Sequence, residues 1–322
     1  MVKKNNQKLS CWVITEGMAG TENQCVGIAE SLGIKPSILQ IKLKEPWATF
    51  SPWLGFEQSR TFTPNLKAPW PDILITSGRK AIAAARYIKK QSKGKTFTVH
   101  TQDPRTSLTS FDLVAVPYHD PSRGNNVIVT DTAPNRITSE SLEKAKDEFP
   151  ALSKLSSPRI AVLIGGTSKA YKMSESVTIS LIENLQKLRA DGYSLMITAS
   201  RRTGSQNIKL LQDAFNKDDN STILYVGEGH NPYFGYLAYA DYILVTSDSV
   251  SMVSDALTTG KPVYLVKLEG GAKRISKFHS HLINKGLVRW FDGSLTSYNY
   301  EPVMESVCIA SIIRNKMGLE DE

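Results

Sequence analysis

No stretch of this sequence approaches the ~18 uninterrupted apolar residues that a membrane-spanning helix needs. Its apolar runs, such as Ile73-Leu74-Ile75 and Tyr242-Ile243-Leu244-Val245, have the length of buried strands. Cysteine is scarce. Cys11, Cys25 and Cys308 are too few and too scattered for a disulfide framework or a zinc site, so Cys11 and Cys25 are read as small buried apolar residues. His279 and His281, two residues apart, fall on different faces of a helix, and no other cluster has metal-ligand spacing, so no metal is expected. The start Met1-Val2-Lys3-Lys4-Asn5-Asn6-Gln7-Lys8 is basic but lacks the apolar stretch and cleavage site of a signal peptide, which predicts a cytoplasmic protein. A basic run interleaved with aromatics is also missing, which disfavours nucleic acid as a partner.

What remains is ordinary globular composition: 322 residues, 41% hydrophobic and 22% charged. Single cores stop growing near ~250–300 residues, so two domains are expected. Lys and Arg outnumber Asp and Glu by 39 to 31, a net +8 that suits phosphorylated ligands or an anionic membrane surface.

Short β-rich runs alternate with helical ones, which predicts parallel sheets covered on both faces. In the first half the strands are Ser10–Thr15, Ser37–Leu43, Asp72–Thr76, Thr96–Thr101, Leu113–Val116 and Asn126–Val129. Thr21, with Gln24 three residues on, reads as the capping box of a helix ending near Gly33, and Ser77 as the cap of an Ala-rich helix. The Pro/Trp-rich stretch from Pro46 to Pro71 has no clear periodicity. Composition shifts across Leu142–Ser157, giving domains 1–150 and 151–322. The second half reads as strands Arg159–Ile164, Leu195–Ala199, Thr222–Val226, Tyr242–Val245 and Pro262–Lys267. Helices lie between them, and a last helix runs from about Glu301 to Met317.

Ligands of open α/β sheets sit beyond the carboxyl ends of strands, and several such junctions here are polar. After Thr15, Gly17 and Gly20 let backbone approach a ligand, and Asn23 follows on a helix start. This loop is neither the dinucleotide fingerprint nor a P-loop. Gly165-Gly166-Thr167-Ser168-Lys169 reads as a phosphate cradle, and Ser200-Arg201-Arg202-Thr203 places paired arginines at another strand end. The densest segment is Thr246-Ser247-Asp248-Ser249-Val250-Ser251-Met252, with Asp255 further on. Hydroxyls at a helix start suit a diphosphate and a carboxylate suits ribose hydroxyls, and Asp255 shares a face with Asp248 if Asp248 begins the helix. His100 and His119, beside Asp103 and Asp120, are candidate general bases.

Taken in order, Glu16–Gln24, Gln102-Asp103-Pro104-Arg105, Gly165–Lys169, Ser200–Thr203 and Thr246–Met252 resemble the plant "elongated mitochondria" fission family and its bacterial relatives, over roughly residues 10–315. Plant members of that family are implicated in mitochondrial fission at the outer mitochondrial surface. The second half resembles, more distantly, the GT-B nucleotide-sugar glycosyltransferases, above all the N-acetylglucosaminyltransferase of peptidoglycan synthesis. Counting back from Gly260-Lys261-Pro262 puts Asp255 where that enzyme has a ribose-binding glutamate, and Asp248 near the place of a glycine.

The resemblance implies an α/β fold of two Rossmann-like domains facing a cleft, with the last helix crossing back to the first domain. It implies a metal-independent transferase that takes a UDP- or GDP-type sugar as substrate, without a separate cofactor. Gly165–Lys169, Ser200, Arg201, Arg202, Ser247, Asp248, Ser249, Ser251, Met252 and Asp255 would bind the donor, with Gly17, Gly20 and Asn23 across the cleft. Glu16, Asp103 or His119 would activate the acceptor, a lipid-linked or cell-envelope glycan. Peripheral contact with the inner face of an anionic membrane, through the Lys3–Lys8 tail and Lys273–Lys277, accompanies this reading. The alternative is a non-catalytic adaptor of fission type with a vestigial or regulatory cleft.

Overall fold

A computed structural model describes residues 9–215 and 221–319. Lys3, Lys4 and Lys8 lie outside the described residues. The described residues fall into two units, one within Met1–Arg136 joined by Met304–Glu322, the other within Ile137–Val303.

The first unit runs β1 (Cys11–Thr15), α1 (Ala19–Ser31), β2 (Ser37–Gln40), β3 (Lys42–Leu43), α2 (Trp47–Phe50), β4 (Phe62–Thr63), β5 (Ile73–Ser77), α3 (Ala81–Gln91), β6 (Phe97–Thr101), β7 (Leu113–Pro117) and β8 (Val127–Thr130). Six strands form one all-parallel sheet in the order β2-β1-β5-β6-β7-β8. Consecutive apolar residues such as Ile73-Leu74-Ile75 are needed because both faces are covered. Leu74 packs with Ile82 and Ile88 of α3 on one face. Ile73, Ile75 and Val13 pack with Cys25 and Ile28 of α1 on the other, where Ile309 and Ile313 of the C-terminal helix Glu305–Met317 join them. The last helix thus returns to the first unit, and Arg314 donates to the Ser31 carbonyl at 3.0 Å. Cys11 and Cys25 are buried here, and desolvation raises both thiols, that of Cys11 to about 12.

The second unit runs α4 (Ser139–Glu148), β9 (Arg159–Ile164), β10 (Tyr171–Lys172), α5 (Glu175–Ala190), β11 (Ser194–Ala199), α6 (Ser205–Phe215), β12 (Thr222–Tyr225), α7 (Tyr233–Tyr239), β13 (Tyr242–Thr246), α8 (Val250–Thr258), β14 (Val263–Val266), β15 (Glu269–Gly270), α9 (Lys273–Asn284) and β16 (Arg289–Trp290). Its parallel sheet has the order β12-β11-β9-β13-β14-β16. Val162 and Ile164 face a core with Leu185 of α5 and Leu211 of α6, while Ala161 and Leu163 face Leu237, Val253 and Phe278.

Three expectations are corrected. The boundary falls at 136/137 rather than 150/151, because α4 packs on α7, with Leu142 and Phe149 against the second core. Thr21 is no cap: α1 begins at Ala19, and the Thr21 hydroxyl donates to the Met18 carbonyl at 2.8 Å. Ser77 is no cap either. It ends β5, and α3 begins at Ala81. Both misassignments have one cause: the strand-to-helix turns are shorter or longer by a few residues than capping residues alone suggest.

Candidate functional site

Each sheet has one place where strand order reverses, and there the crossover helices diverge to opposite faces and leave a crevice at the carboxyl ends. In the second unit that place lies between β9 and β13. Gly165-Gly166 leaves β9 and Thr246–Ser249 leaves β13, so the two glycine- and hydroxyl-rich junctions meet.

Asp248 joins them. Its side chain is fully buried, and it accepts hydrogen bonds from Gly166 N (3.1 Å) and the Thr246 hydroxyl (2.7 Å) and pairs with Arg202 (2.9 Å). Thr246 Oγ1 accepts from Gly165 N at 2.7 Å. The β11 junction closes the third side: the Ser200 and Thr203 hydroxyls donate to the Gly165 carbonyl, and Thr167 N donates to the Arg202 carbonyl at 2.9 Å. A Cβ at Gly165 would lie 2.5 Å from both Asp248 oxygens, and one at Gly166 would lie 2.1 Å from the Arg202 carbonyl oxygen. No other residue type fits either position.

Asp248 does not begin the helix. Ser249 caps α8, accepting from Met252 N at 3.3 Å, so Asp248 lies outside the helix and turns to the glycine loop. Asp255, on α8, does not share that task and instead accepts from the Tyr233 hydroxyl at 2.9 Å. Asp255 retains some exposed surface, yet it is enclosed closely enough that desolvation pushes its carboxyl up to about 7. Burial and the adjacent Asp255 push the Tyr233 phenol up.

The other hydroxyls are engaged with backbone. Ser247 accepts from Leu268 N (3.2 Å), Thr167 from Met173 N (3.2 Å), and Ser168 from Tyr171 N (3.2 Å). A hydroxyl that accepts still has its proton to donate. Thr167, Ser168, Lys169, Arg201 and Arg202 are exposed around the glycine turn, and Ser251 and Met252 are half-buried in the first turn of α8. That turn leaves N–H groups without helical acceptors, which suits an anion.

In the first unit the order reverses between β1 and β5. Glu16, just after β1, accepts from Lys80 N at 3.1 Å and pairs with Lys80 Nζ at 3.5 Å, so the β5–α3 junction orients it. Gly17, at φ +86, donates to Thr15 Oγ1 at 3.1 Å, and the exposed Gly20 and Asn23 lie within α1 rather than in a loop. Asp103 accepts from Arg105 N (2.9 Å) and the Ser122 hydroxyl (2.8 Å), and its own N–H donates to buried Asp120 at 3.2 Å. His119 is buried, with Nε2 3.9 Å from Asp120. His100 takes no such place. It stacks on Phe111 within the sheet, hydrogen-bonds Thr76 at 2.8 Å, and burial holds it neutral by lowering its pKa to about 3.

Sequence reasoning missed Tyr233, Lys80 and Thr246 as partners of Asp255, Glu16 and Asp248. Thr246 at least stood in a quoted motif, whereas Tyr233 and Lys80 carried no local signal. Among the described residues, no group of three or more His, Cys, Asp or Glu is placed to hold a metal ion, and no helix is long and apolar enough to cross a membrane.

Among solved structures, the UDP-GlcNAc 2-epimerase from Methanocaldococcus jannaschii is similar at TM-score 0.55 and 12% identity, over 95% of this chain and 100% of that one. Acinetobacter baumannii MurG is similar at TM-score 0.51 and 13% identity, over 96% and 91%. At such identity the likeness is one of fold: α/β, with two Rossmann-like parallel sheets of GT-B type. By sequence, the mitochondrial fission protein ELM1 of Arabidopsis thaliana is 27% identical over 391 residues, covering 95% of this chain and 90% of that protein. An uncharacterized protein of Rickettsia prowazekii (strain Madrid E), also 27% identical, is matched over 359 residues, 95% of this chain and 98% of its own. A sequence model of the family described as mitochondrial fission ELM1 matches residues 19–317, and the chain belongs to that family.

Proposed function

We propose that this protein is a GT-B-type glycosyltransferase that takes a nucleotide-sugar donor at the β9/β13 switch point of its second unit. One observation carries the reading. A two-glycine turn, pressed against Asp248 and Arg202 so closely that no Cβ fits, lies at the crevice beside the start of α8 and the exposed Arg201, Arg202 and Lys169. Such a turn holds the exposed Thr167–Lys169 segment and the arginines beside the first-turn N–H groups of α8, which a diphosphate can approach, and the basic rim offsets the charge of the leaving diphosphate. Asp255, steadied by Tyr233, would take the ribose hydroxyls. Glu16, Asp103 and His119 would be the acceptor-side groups. UDP-GlcNAc stands in the name of the epimerase with this fold, which supports a UDP sugar as the first donor to try.

Calorimetry of the full chain against UDP, GDP and their sugars tests this. We expect one nucleotide to bind and Asp255→Ala to weaken it about tenfold, the loss of one charged hydrogen-bond pair. A folded protein that binds none of them overturns the proposal. It would favour the second reading, a fission-type adaptor, which the family's name supports.

Affinity should also follow pH. A carboxylate accepts ribose O–H groups better than a carboxyl, so affinity should rise between pH about 6 and 8 and level off above, through the Asp255 value of about 7. The stability sign is opposite. The folded-state pKa lies above the unfolded ~3.9, so the fold holds an extra proton between about 4 and 7 and loses stability as pH rises through that window, by at most ~1.4 kcal/mol per unit. Asp255→Asn should flatten both profiles, in titrations and in melting curves.

A further inference from the structure

Among the described residues, the most exposed large apolar side chains are Phe56 (87%), Trp53 (68%), Met18 (59%) and Phe50 (57%), and three of these four lie within seven residues of one another. Isolated exposed apolar residues need no explanation, but clustered aromatics do. The loop that bears them is not slack. Arg86 of α3 donates to the Pro52 and Leu54 carbonyls and pairs with Glu57. The Trp47 indole N–H donates to the Gly55 carbonyl at 2.8 Å, and the Ser51 hydroxyl to the Arg79 carbonyl at 3.1 Å. The backbone polar groups are therefore turned inward and tied, and the rings are held outward. Phe56 even adopts φ +62, a region that a bulky residue enters only when its surroundings impose it.

The surrounding charge is as uneven. From Lys42 to Lys95 the sequence has eleven Lys and Arg against three Asp and Glu, an excess of eight. That equals the +8 of the entire chain, so the remaining residues are balanced. Lys42, Lys44, Arg60, Lys90 and Lys93 are exposed, and Lys90 lines the same shallow cavity of about 350 Å³ as Phe56. Lys90 thus stands beside Phe56, Lys93 lines a neighbouring shallow cavity with Lys90, and Lys42, Lys44 and Arg60 bracket the rings in the sequence.

We infer that the first unit docks on an anionic lipid bilayer through Phe50, Trp53 and Phe56, with the flanking lysines and Arg60 on the headgroups. Phenylalanine and tryptophan rings partition to the boundary between headgroups and acyl chains, while Lys and Arg are drawn to negative lipid. The inference is independent of the nucleotide reading, because none of these residues belongs to the second unit.

Flotation of the full chain with vesicles tests it, comparing phosphatidylcholine alone with a mixture containing about one-third phosphatidylglycerol. Binding is expected to the mixture only. The triple variant Phe50→Ser/Trp53→Ser/Phe56→Ser should weaken it about tenfold or more, and so should Lys90→Glu/Lys93→Glu. All five side chains are exposed, so an unaltered melting temperature should accompany the loss. Brominated lipid should quench Trp53 fluorescence, and Trp53→Phe should remove that quenching. Equal binding to uncharged vesicles, or full binding by the triple variant, would overturn the inference. Tighter binding to single-stranded oligonucleotide than to anionic vesicles, at equal phosphate, would overturn it too.

Discussion

Gly166→Ala is expected to lower the melting temperature of the second unit by about 10 °C and to abolish nucleotide binding. Two terms add. At φ +140 an L-residue is strained, by ~1–3 kcal/mol, and the new Cβ would meet the Arg202 carbonyl oxygen at 2.1 Å. That oxygen is backbone and already accepts from Thr167 N, so it has no flexible end to yield. Relieving the overlap means moving the Ser200–Thr203 turn, at a further ~1–3 kcal/mol. About 3 kcal/mol in total corresponds to roughly 10 °C for a unit of this size. Gly204→Ala is the control. Its φ of +83 is also positive, but nothing lies within 4 Å of its Cβ, so strain acts alone and a loss of ~1 kcal/mol is expected. Differential scanning fluorimetry of both variants separates packing from strain. Equal shifts would show that the close approach to Arg202 is unimportant.

The α/β class and the two sheets were legible because both faces of each sheet are buried, which leaves a sequence imprint of short apolar runs between helical periods. Arg159–Ile164 is found with those limits. The family implied by the motifs is the family matched. Boundaries were less legible. The segment 142–157 looks like a linker by composition, yet Leu142, Phe149 and Leu152 are spaced to pack against the second core, a contact that only the folded chain reveals. The site shows the same limit more sharply. Glu16 and Lys80 are 64 residues apart, Gln24 and Gln102 are 78 apart, and Tyr233 and Asp255 are 22 apart. Strand order brings each pair together, and no local pattern encodes strand order. Sequence alone therefore finds the polar junctions but cannot say which of their groups are spent on one another. The serines of Thr246–Ser251 looked like free ligands for a diphosphate, whereas Ser247 and Ser249 already hold Leu268 N and Met252 N.

Asp248 is the clearest case of a residue whose role depends on that distinction, and its variants should behave unequally. Asp248→Ala strips Gly166 N and the Thr246 hydroxyl of their acceptor in a dry site, and we expect a loss of about 3 kcal/mol. Little of that comes from Arg202, whose side chain is 43% exposed and whose pairing water screens. Asp248→Asn should cost less, ~1–2 kcal/mol: the amide oxygen still accepts from Gly166 N and the NH₂ can donate to Thr246 Oγ1, which has a second lone pair beside the one used by Gly165 N, but the Thr246 proton loses its acceptor. Gly165→Ala attacks the same contact from the other side, since its Cβ would lie 2.5 Å from both carboxylate oxygens. The two positions must therefore couple. In the Asp248→Ala background the obstructing oxygens are gone, and Gly165→Ala should then cost markedly less than in the native chain, a non-additivity of ~1–3 kcal/mol in a double-mutant cycle by urea denaturation. Additive losses would mean that the glycine is required for something other than the carboxylate beside it.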